Sequence, residues 1–133
     1  MGRGFSYPTA REAALKLMET TYVSASAFSG ADLLHGPVAH VGPQTPVLAV
    51  APGGVGSGLL RPVLDVLASR DARVTVVGDP TLATDGLPVP QVPEDLSPFA
   101  QILPLQLLAL ELSLAKGYDP DAPSGLRKVT RTL

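Results

Sequence analysis

The middle of the chain contains two short apolar runs rich in β-forming residues, with one helical segment between them. The runs are Pro46–Ala51 and Arg73–Val77, and the segment from Ser57 to about Ser69 carries its leucines and valines on one helical face. The first run, Pro46–Ala51, is apolar and has polar turns on both sides, which is typical of a buried parallel strand. Strand, helix and strand in this order, followed by a further strand and helix, are the pattern of a doubly wound parallel sheet.

A helix is predicted ahead of this unit. Thr9 is a candidate N-cap for a helix from about Ala10 to about Ser24, and Glu12 completes a Thr-x-x-Glu capping box. Glu12, Lys16 and Glu19 share one face of this helix. Apolar residues recurring at three- and four-residue steps predict a buried face, made of Ala14, Leu15, Met18 and Tyr22.

The second half of the chain predicts a weak strand and a long helix. Val89–Val92 has strand composition, although the prolines around it weaken the prediction. Ser97 is expected to cap a helix that starts at Pro98 and runs to Lys116. This helix is apolar almost all round, so we expect it to be buried on several sides, against a second subunit or a second domain.

Together with one helical turn expected at Ala31–Leu34, these elements predict an α/β fold. The expected form is a three-layer α-β-α sandwich around a short, doubly wound, mostly parallel sheet of flavodoxin-like type. The length of 133 residues fits one domain, 1–133, in which 118–133 is an extended C-terminal tail.

Composition excludes several classes of function. The net charge is −2 without a basic cluster, which gives no footprint for nucleic acid. The chain has no cysteine, and two histidines, His35 and His40, are too few for a protein zinc site. No signal peptide is recognisable, and the apolar stretch Phe99–Ala115 is expected to fall short of a membrane span because of its polar residues and Pro104. We therefore expect a soluble, cytoplasmic protein.

Four features could carry chemistry, and each also has an ordinary structural explanation. The Gly-rich turn 53–58 could hold an anion or be a plain turn. Lys16 and Glu19 could be an acid/base pair or a solvated surface pair. His35, in an apolar loop, and Lys128, in a polar tail, could equally be structural and solvated. The pattern alone does not decide between these alternatives.

The order of several short motifs resembles a known family, the second sugar-isomerase (SIS) subdomain of glucosamine-6-phosphate synthase and of SIS-type glucosamine-6-phosphate deaminases. The resemblance covers essentially the whole chain. It rests on Gly2-Arg3-Gly4, Tyr7-Pro8, Ala13-Ala14-Leu15-Lys16-Leu17-x-Glu19, Ala31-Asp32-x-x-His35-Gly36-Pro37, Pro104-Leu105-Gln106-Leu107-Leu108-Ala109, Lys116-Gly117-Tyr118-Asp119-Pro120-Asp121-Ala122-Pro123 and Leu126-Arg127-Lys128-Val129-Thr130.

The resemblance implies catalytic roles for four residues. Glu19 matches the general base that moves a proton between C1 and C2 of an opened sugar, and Lys16 matches a lysine beside it. His35 matches the ring-opening histidine, which the family supplies from a neighbouring subunit. Lys128 matches a tail lysine that contacts the open-chain sugar and can form an imine with its carbonyl.

The implied substrate is glucosamine 6-phosphate or fructose 6-phosphate, with Arg3, Gly4 and Lys128 as substrate-binding residues. Acid, base and amine suffice for ring opening and proton transfer, so neither a metal nor an organic cofactor is expected. The expected partners are the sugar phosphate and a second copy of the chain in a homodimer, with no nucleic acid and no membrane.

The sequence departs from the family pattern at several positions. Asp32 replaces a usual Glu, and Leu34 and Met18 stand where the synthase has Lys. The amino-acid sequence of the tail around Lys128 is closer to that of the deaminase-like branch. The Ser/Thr-rich phosphate-binding loop of the first SIS subdomain is missing, and only Met1 precedes Gly2, so we expect a partner in that first subdomain and an incomplete isolated chain.

Three further interpretations stay open. The chain could be a non-catalytic SIS module that binds sugar phosphates, the isomerase half of a glutamine-dependent aminotransferase, or a folded fragment without binding activity. A sensor has no need of Glu19, His35 and Lys128 together, which favours the enzyme.

Overall fold

The computed structural model describes residues 1–51, 53, 55–82 and 85–125. Within these residues the chain forms four α-helices, three strands and two single 3₁₀ turns, Pro37–His40 and Glu94–Leu96. In chain order the elements are α1 (Ser6–Thr21), α2 (Gly30–Leu34), β1 (Pro46–Ala51), α3 (Val55–Ser69), β2 (Arg73–Gly78), β3 (Gly86–Pro88) and α4 (Ser97–Ala115).

The three strands form a parallel sheet in the order β1-β2-β3, which confirms the predicted strand–helix–strand unit. Pro46 pairs with Arg73 at one end of the β1–β2 ladder, and Ala51 pairs with Gly78 at the other. In both strands the last three residues are buried, whereas the first is exposed. The carboxyl end of the sheet therefore lies deepest in the molecule.

Helices cover both faces of the sheet, as the α-β-α prediction requires. One cluster joins Ala49, Ala51 and Val76 to α2 and α3 through residues that include Leu33, Leu60 and Leu67. The other joins Val50 and Val77 to α1 and α4 through Ala10, Ala13 and Leu105. Neighbouring strand residues thus point into opposite layers, because side chains alternate along a strand.

Gly2 extends the sheet beyond β1 by one rung. It forms parallel bridges to Ser29 on one side and to Val50 on the other. A Cβ at this position would lie 2.5 Å from the carbonyl oxygen of Ser6. The chain turns directly from this rung into α1, and only glycine leaves room for that turn.

The start of α1 differs from the prediction. The helix begins at Ser6, without a side-chain hydrogen bond from its N-cap residue Phe5, and Thr9 lies inside it as a buried residue. The predicted capping box at Thr9 and Glu12 was therefore wrong. The helix ends at Thr21, three residues earlier than predicted, because Tyr22 takes a left-handed conformation with φ 55°.

The buried face of α1 was also partly mispredicted. It consists of small residues, namely Ser6, Thr9, Ala10, Ala13, Ala14 and Thr21. Leu15, Met18 and Tyr22, which were expected in the core, are each more than two-fifths exposed. The helix packs closely through its small residues and leaves larger apolar ones uncovered.

The third strand lies earlier than predicted, at Gly86–Pro88 rather than Val89–Val92. Prolines 88, 90 and 93 remove backbone donors that a longer strand in the predicted segment would need. Gly86 permits close pairing, since a Cβ there would lie 2.7 Å from the carbonyl oxygen of Val76.

Helix α4 starts at Ser97, which does not act as its cap. The Ser97 hydroxyl donates backwards to the carbonyl of Glu94 at 2.7 Å. The helix buries only one narrow stripe, made of Ser97, Gln101, Leu105, Ala109 and Ser113. Its exposed apolar residues are Phe99, Leu103, Leu107, Leu110 and Leu114, so burial on several sides is not seen within the described residues.

The same helix is the one candidate membrane span in the part of the chain that the structure describes. Counted from Glu94 to Ala115, it has 22 residues and a mean hydropathy of 1.4. By length and composition only, it is long and apolar enough to cross a membrane. This differs from our expectation that the stretch falls short. A single such helix is weak evidence for a membrane span, because core helices of soluble proteins meet the same criteria.

Two adjacent leucines of α3 provide a test of the core. Leu60 is fully buried, whereas 49% of Leu59 is exposed. We expect Leu60→Ala to lower the free energy of unfolding by about 2–5 kcal/mol. Leu59→Ala, the matched control, should change it by less than about 0.5 kcal/mol. Urea denaturation of both variants measures the difference, and equal effects would contradict the packing described.

Candidate functional site

The last two turns of α1 carry the predicted acid/base pair. Lys16 Nζ lies 2.7 Å from Glu19 Oε2 and 3.7 Å from Glu12 Oε1, so the three side chains share one face as the sequence predicted. The side chains of Lys16 and Glu19 are 37% and 31% exposed. The pair is thus open to solvent and close enough for direct proton exchange.

The hydrogen bond to Glu19 is the main cause of a raised pKa at Lys16, with smaller contributions from the charges of Glu19 and Glu12 and a partial offset from desolvation. A raised pKa keeps Lys16 protonated over the whole neutral range. At the same time the ammonium neutralises part of the Glu19 charge and orients its carboxylate.

The end of α1 is held in place by α4. The Ser113 hydroxyl donates to the carbonyl of Thr20 at 2.9 Å, and Lys116 Nζ donates to the carbonyl of Thr21 at 2.8 Å. These carbonyls are among the last four of the helix, which have no partner within the helix itself. The positive charge of Lys116 also interacts favourably with the partial negative charge at the C-terminus of the helix.

The described part of the C-terminal tail packs against the same end of α1. The rings of Tyr22 and Tyr118 meet edge to face, with centroids 4.8 Å apart. The Ser124 N–H donates to Tyr22 Oη at 2.6 Å, and Lys116 Nζ lies 5.4 Å from the centre of the Tyr118 ring. The described part of the tail therefore lies against the end of α1 that carries Glu19. Lys128 itself lies outside the described residues.

Sequence reasoning missed Tyr22, Tyr118 and Lys116 as a group. Tyr22 was assigned to the core because its spacing fits an apolar face. The better signal is that each of the three combines an apolar body, aromatic in the tyrosines and aliphatic in the lysine, with a polar or charged tip, which suits a half-exposed contact.

His35 lies apart from the pair. It caps the C-terminal end of α2, where its N–H donates to the carbonyl of Asp32, and its side chain is exposed. Asp32, one of the departures from the family pattern, accepts from the Ser29 hydroxyl at 2.7 Å. No hydrogen bond or ion pair joins His35 to Lys16 or Glu19 within the described residues.

Arg3 and Gly4 lie at the opposite end of α1 from Glu19. Their carbonyls accept the N–H groups of Ser6 and Tyr7, both at 3.1 Å, and so start the helix. From Ser6 to Glu19 the helix rises about 20 Å. The structure therefore does not bring Arg3 and Gly4 together with the Lys16–Glu19 pair.

The Gly-rich turn is a poor anion site in its described part. Asp79, at the carboxyl end of β2, accepts from both the N–H and the hydroxyl of Thr81, at 2.9 and 2.7 Å. The Thr81 N–H is the main cause of a lowered pKa at Asp79, and Ser57 and Arg61 contribute. A carboxylate held ionised beside the start of α3 repels other anions.

A family profile described as SIS domain matches residues 1–116. The chain belongs to the SIS family. It is 38% identical over 132 residues to a glutamine–fructose-6-phosphate aminotransferase (isomerizing) of Pyrococcus horikoshii. It is 40% identical over 136 residues to the enzyme of the same name from Methanothermobacter thermautotrophicus. Each match covers 96% of this chain but only 22% and 23% of the relatives, so the chain spans about a fifth of their length.

Solved structures give the same SIS assignment. The C-terminal domain of glucosamine-fructose-6-phosphate aminotransferase from Francisella tularensis superimposes with a TM-score of 0.80 at 32% identity, covering 89% of this chain and 35% of that one. Glucosamine-6-phosphate deaminase from Thermotoga maritima superimposes with a TM-score of 0.73 at 26% identity, covering 96% and 38%. The predicted family and fold class are confirmed, and the relatives support the sugar-isomerase class of enzyme.

The Lys16–Glu19 hydrogen bond predicts a specific titration. Glu19→Gln should lower the pKa of Lys16 more than Glu12→Gln does, because the Glu19 contact is the shorter and the hydrogen-bonded one. NMR titration of the Lys16 amine measures both. Since the pKa of Lys16 is raised by folding, the pair stabilises the protein below the ordinary lysine pKa of about 10.4 and loses this effect as pH rises through the folded value. Exposure limits the contribution to about 0.5 kcal/mol.

Docking of the tail depends on the Tyr22 hydroxyl. Tyr22→Phe keeps the ring contact with Tyr118 but removes the acceptor of the Ser124 N–H. We expect hydrogen exchange at Ser124 to accelerate by about five- to tenfold, in line with the loss of about 1 kcal/mol. Tyr118→Phe, in which the ring contact is also kept, is the control and should leave this exchange rate unchanged. Equal exchange in both variants would contradict the docking.

Proposed function

We propose that this chain is the catalytic half of an SIS module that converts amino-sugar phosphates, acting on glucosamine 6-phosphate or fructose 6-phosphate. The reaction opens the sugar ring and moves a proton between C1 and C2. The proposal is carried by the Lys16–Glu19 contact of 2.7 Å on the solvent-accessible end of α1.

Glu19 acts as the base in this proposal. Its carboxylate oxygen bonded to Lys16 is held in one direction, and the other oxygen is free to take the proton from the sugar carbon. Lys16, kept protonated, stabilises the negative charge that develops on the neighbouring sugar oxygen as the proton leaves. Neither step requires a metal or an organic cofactor.

His35 and Lys128 complete the chemistry in the proposal. His35 is exposed at the end of α2 and is therefore available to a second copy of the chain. There it would open the ring of the sugar that the second copy binds. The docked tail up to Gly125 approaches the end of α1, which supports Lys128 as the amine that meets the open-chain carbonyl. A homodimer is therefore part of the proposal.

Phosphate binding, the function for which this chain lacks the family's loop, is assigned to a first SIS subdomain. The chain spans about a fifth of its curated relatives, and the family's Ser/Thr-rich phosphate loop has no counterpart in its sequence. We propose that such a subdomain, as partner, binds the phosphate while residues 1–133 form the second subdomain, with 118–133 as its tail. The proposed location is the cytoplasm.

The two branches of the family differ in the fate of nitrogen. The two curated relatives described above are named aminotransferases. The sequence of the C-terminal tail instead favours the deaminase-like branch, and a deaminase structure superimposes as well. Ammonia release from glucosamine 6-phosphate defines the deaminase branch. Sugar-phosphate binding without turnover would instead indicate a sensor module.

A chimera tests the catalytic assignment. This chain replaces the matching 132 residues of the Pyrococcus horikoshii enzyme. We expect isomerisation of fructose 6-phosphate, and Glu19→Gln in the chimera should lower kcat by about 10²- to 10⁴-fold because the base is lost. Glu12→Gln is the matched control, since it removes the other carboxylate near Lys16, and should change kcat by less than about threefold.

Equal losses in the two variants would refute Glu19 as the base. Calorimetry of the isolated chain with glucosamine 6-phosphate, together with an ammonia assay, tests the division of labour. We expect neither heat nor ammonia, and release of ammonia would show that the first subdomain is dispensable.

A further inference from the structure

A polar side chain is buried in the second turn of α4. Gln101 is 1% exposed, and neither its side-chain nitrogen nor its side-chain oxygen has a hydrogen-bond partner among the described residues. A carboxamide can donate two hydrogen bonds and accept two. Buried polar groups of native proteins nearly always have a partner, because an unpaired one loses its hydration without compensation. Gln101 therefore requires a partner.

A small cavity borders this side chain at the carboxyl end of the sheet. It is lined by Gly78, the last residue of β2, by Gly53 in the turn after β1, by Ser97 at the start of α4 and by the segment 89–92. Its volume, measured for a water-sized sphere, is about 10 Å³. This is about the lower limit for one water molecule and far too small for a sugar or a nucleotide.

The walls of the cavity are polar but uncharged. The described side chains that line it belong to glycine, valine, proline, glutamine and serine. Gln91 and Val92 add backbone N–H and carbonyl groups that make no hydrogen bond within the part of the chain that the structure describes. The Ser97 hydroxyl donates to the carbonyl of Glu94, which leaves its lone pairs free to accept. A neutral occupant that both donates and accepts fits these walls.

The other carboxamide of the wall is directed elsewhere. The side-chain oxygen of Gln91 rests against the backbone of Gly53, where a Cβ would collide with it. Gly53 thus gives the Gln91 side chain its position, and in that position Gln91 makes no hydrogen bond to Gln101. The partner of Gln101 has to come from the cavity itself.

We propose that this cavity is the binding site of a single water molecule that links Gln101 to the segment 89–92 and to the start of α4. Water is neutral, donates two hydrogen bonds and accepts two, and matches the volume. Cavities that stay dry in proteins are apolar, whereas this one has several polar partners for an occupant. The site is independent of the catalytic assignment, since it holds the entry of α4 against the carboxyl end of the sheet.

NMR detects such a molecule directly. The side-chain amide protons of Gln101 should show a cross-peak to water with the sign of a contact inside the rigid protein, because a buried water stays bound for longer than a surface water. Gln106, an exposed glutamine of the same helix, is the internal control. Its amide protons meet only surface water and should show no cross-peak of this sign.

A variant excludes relay through a hydroxyl group. Ser97 carries the one hydroxyl among the described residues that line the cavity, and hydroxyl protons exchange with water. The cross-peak of Gln101 should therefore persist in Ser97→Ala. Loss of the cross-peak in this variant, its absence from the unaltered chain, or a contact between the carboxamides of Gln101 and Gln91 in its place would overturn the proposal.

Replacement of Gln101 gives a second test, in which the two alternatives have opposite signs. Gln101→Met removes the carboxamide but keeps a side chain of similar size. If the carboxamide is unpaired, the melting temperature rises. If water links it to the walls, the water and the segment 89–92 lose a partner, and the melting temperature should fall by about 3–5 °C.

The same substitution at an exposed position is the matched control. Gln106→Met changes the same groups on the same helix without altering the cavity, so the melting temperature should change by less than about 2 °C. A melting temperature of Gln101→Met equal to or above that of Gln106→Met would contradict the bound water.

Discussion

The placement of the Lys16–Glu19 pair depends on a contact between two helices far apart in sequence. Ser113 of α4 and Lys116, the residue that caps the C-terminal end of α4, donate hydrogen bonds to the last carbonyls of α1, 93 and 95 residues away along the chain. Without them the final turn of α1 would present unpaired carbonyls at its half-buried end, at a cost comparable to a lost hydrogen bond for each. The same turn carries Glu19 and leads into Tyr22, so one set of hydrogen bonds fixes both the acid/base pair and the docking point of the tail.

The exposure of the pair supports the proposal that the isolated chain is an incomplete catalyst. Both side chains are about one-third exposed, and water screens the interaction between them. A base that takes a proton from carbon works better where water is excluded, because charges then interact more strongly. The missing surfaces of the site, supplied in our proposal by a first SIS subdomain and by a second copy bearing His35, therefore contribute electrostatics as well as phosphate contacts.

The elements that the sequence predicted well are those whose residues repeat one signal. β1, α3 and β2 have continuous apolar or amphipathic patterns between polar turns, and their bounds agree with the prediction to within two residues. Errors occurred where a tertiary contact overrides a local signal. Thr9 looks like an N-cap, but the two-sided pairing of Gly2 starts the helix earlier. The strand expected at Val89 fails because prolines remove its donors, and Gly86 offers a closer approach. The Lys16–Glu19 pair followed from helical spacing, whereas the cluster around Tyr22 depends on α4 and on the tail, which no local pattern links.

Two apolar surfaces are uncovered among the described residues, the outer stripe of α4 and a cavity beside β1 that Ala13, Leu17 and Val41 help to line. The exposed stripe of α4, with Phe99, Leu103 and Leu107 at four-residue steps, presents side chains only, and a helix or a sheet of suitable shape could cover it because hydrophobic contact is non-directional. The cavity beside β1 lies along the edge of that strand that does not pair with β2, so backbone groups as well as side chains border it. An apolar small molecule could fill its volume yet would leave these groups unpaired, which costs free energy for each buried group. The cavity therefore sets a hydrogen-bonding requirement that the α4 stripe, made of side chains alone, does not set.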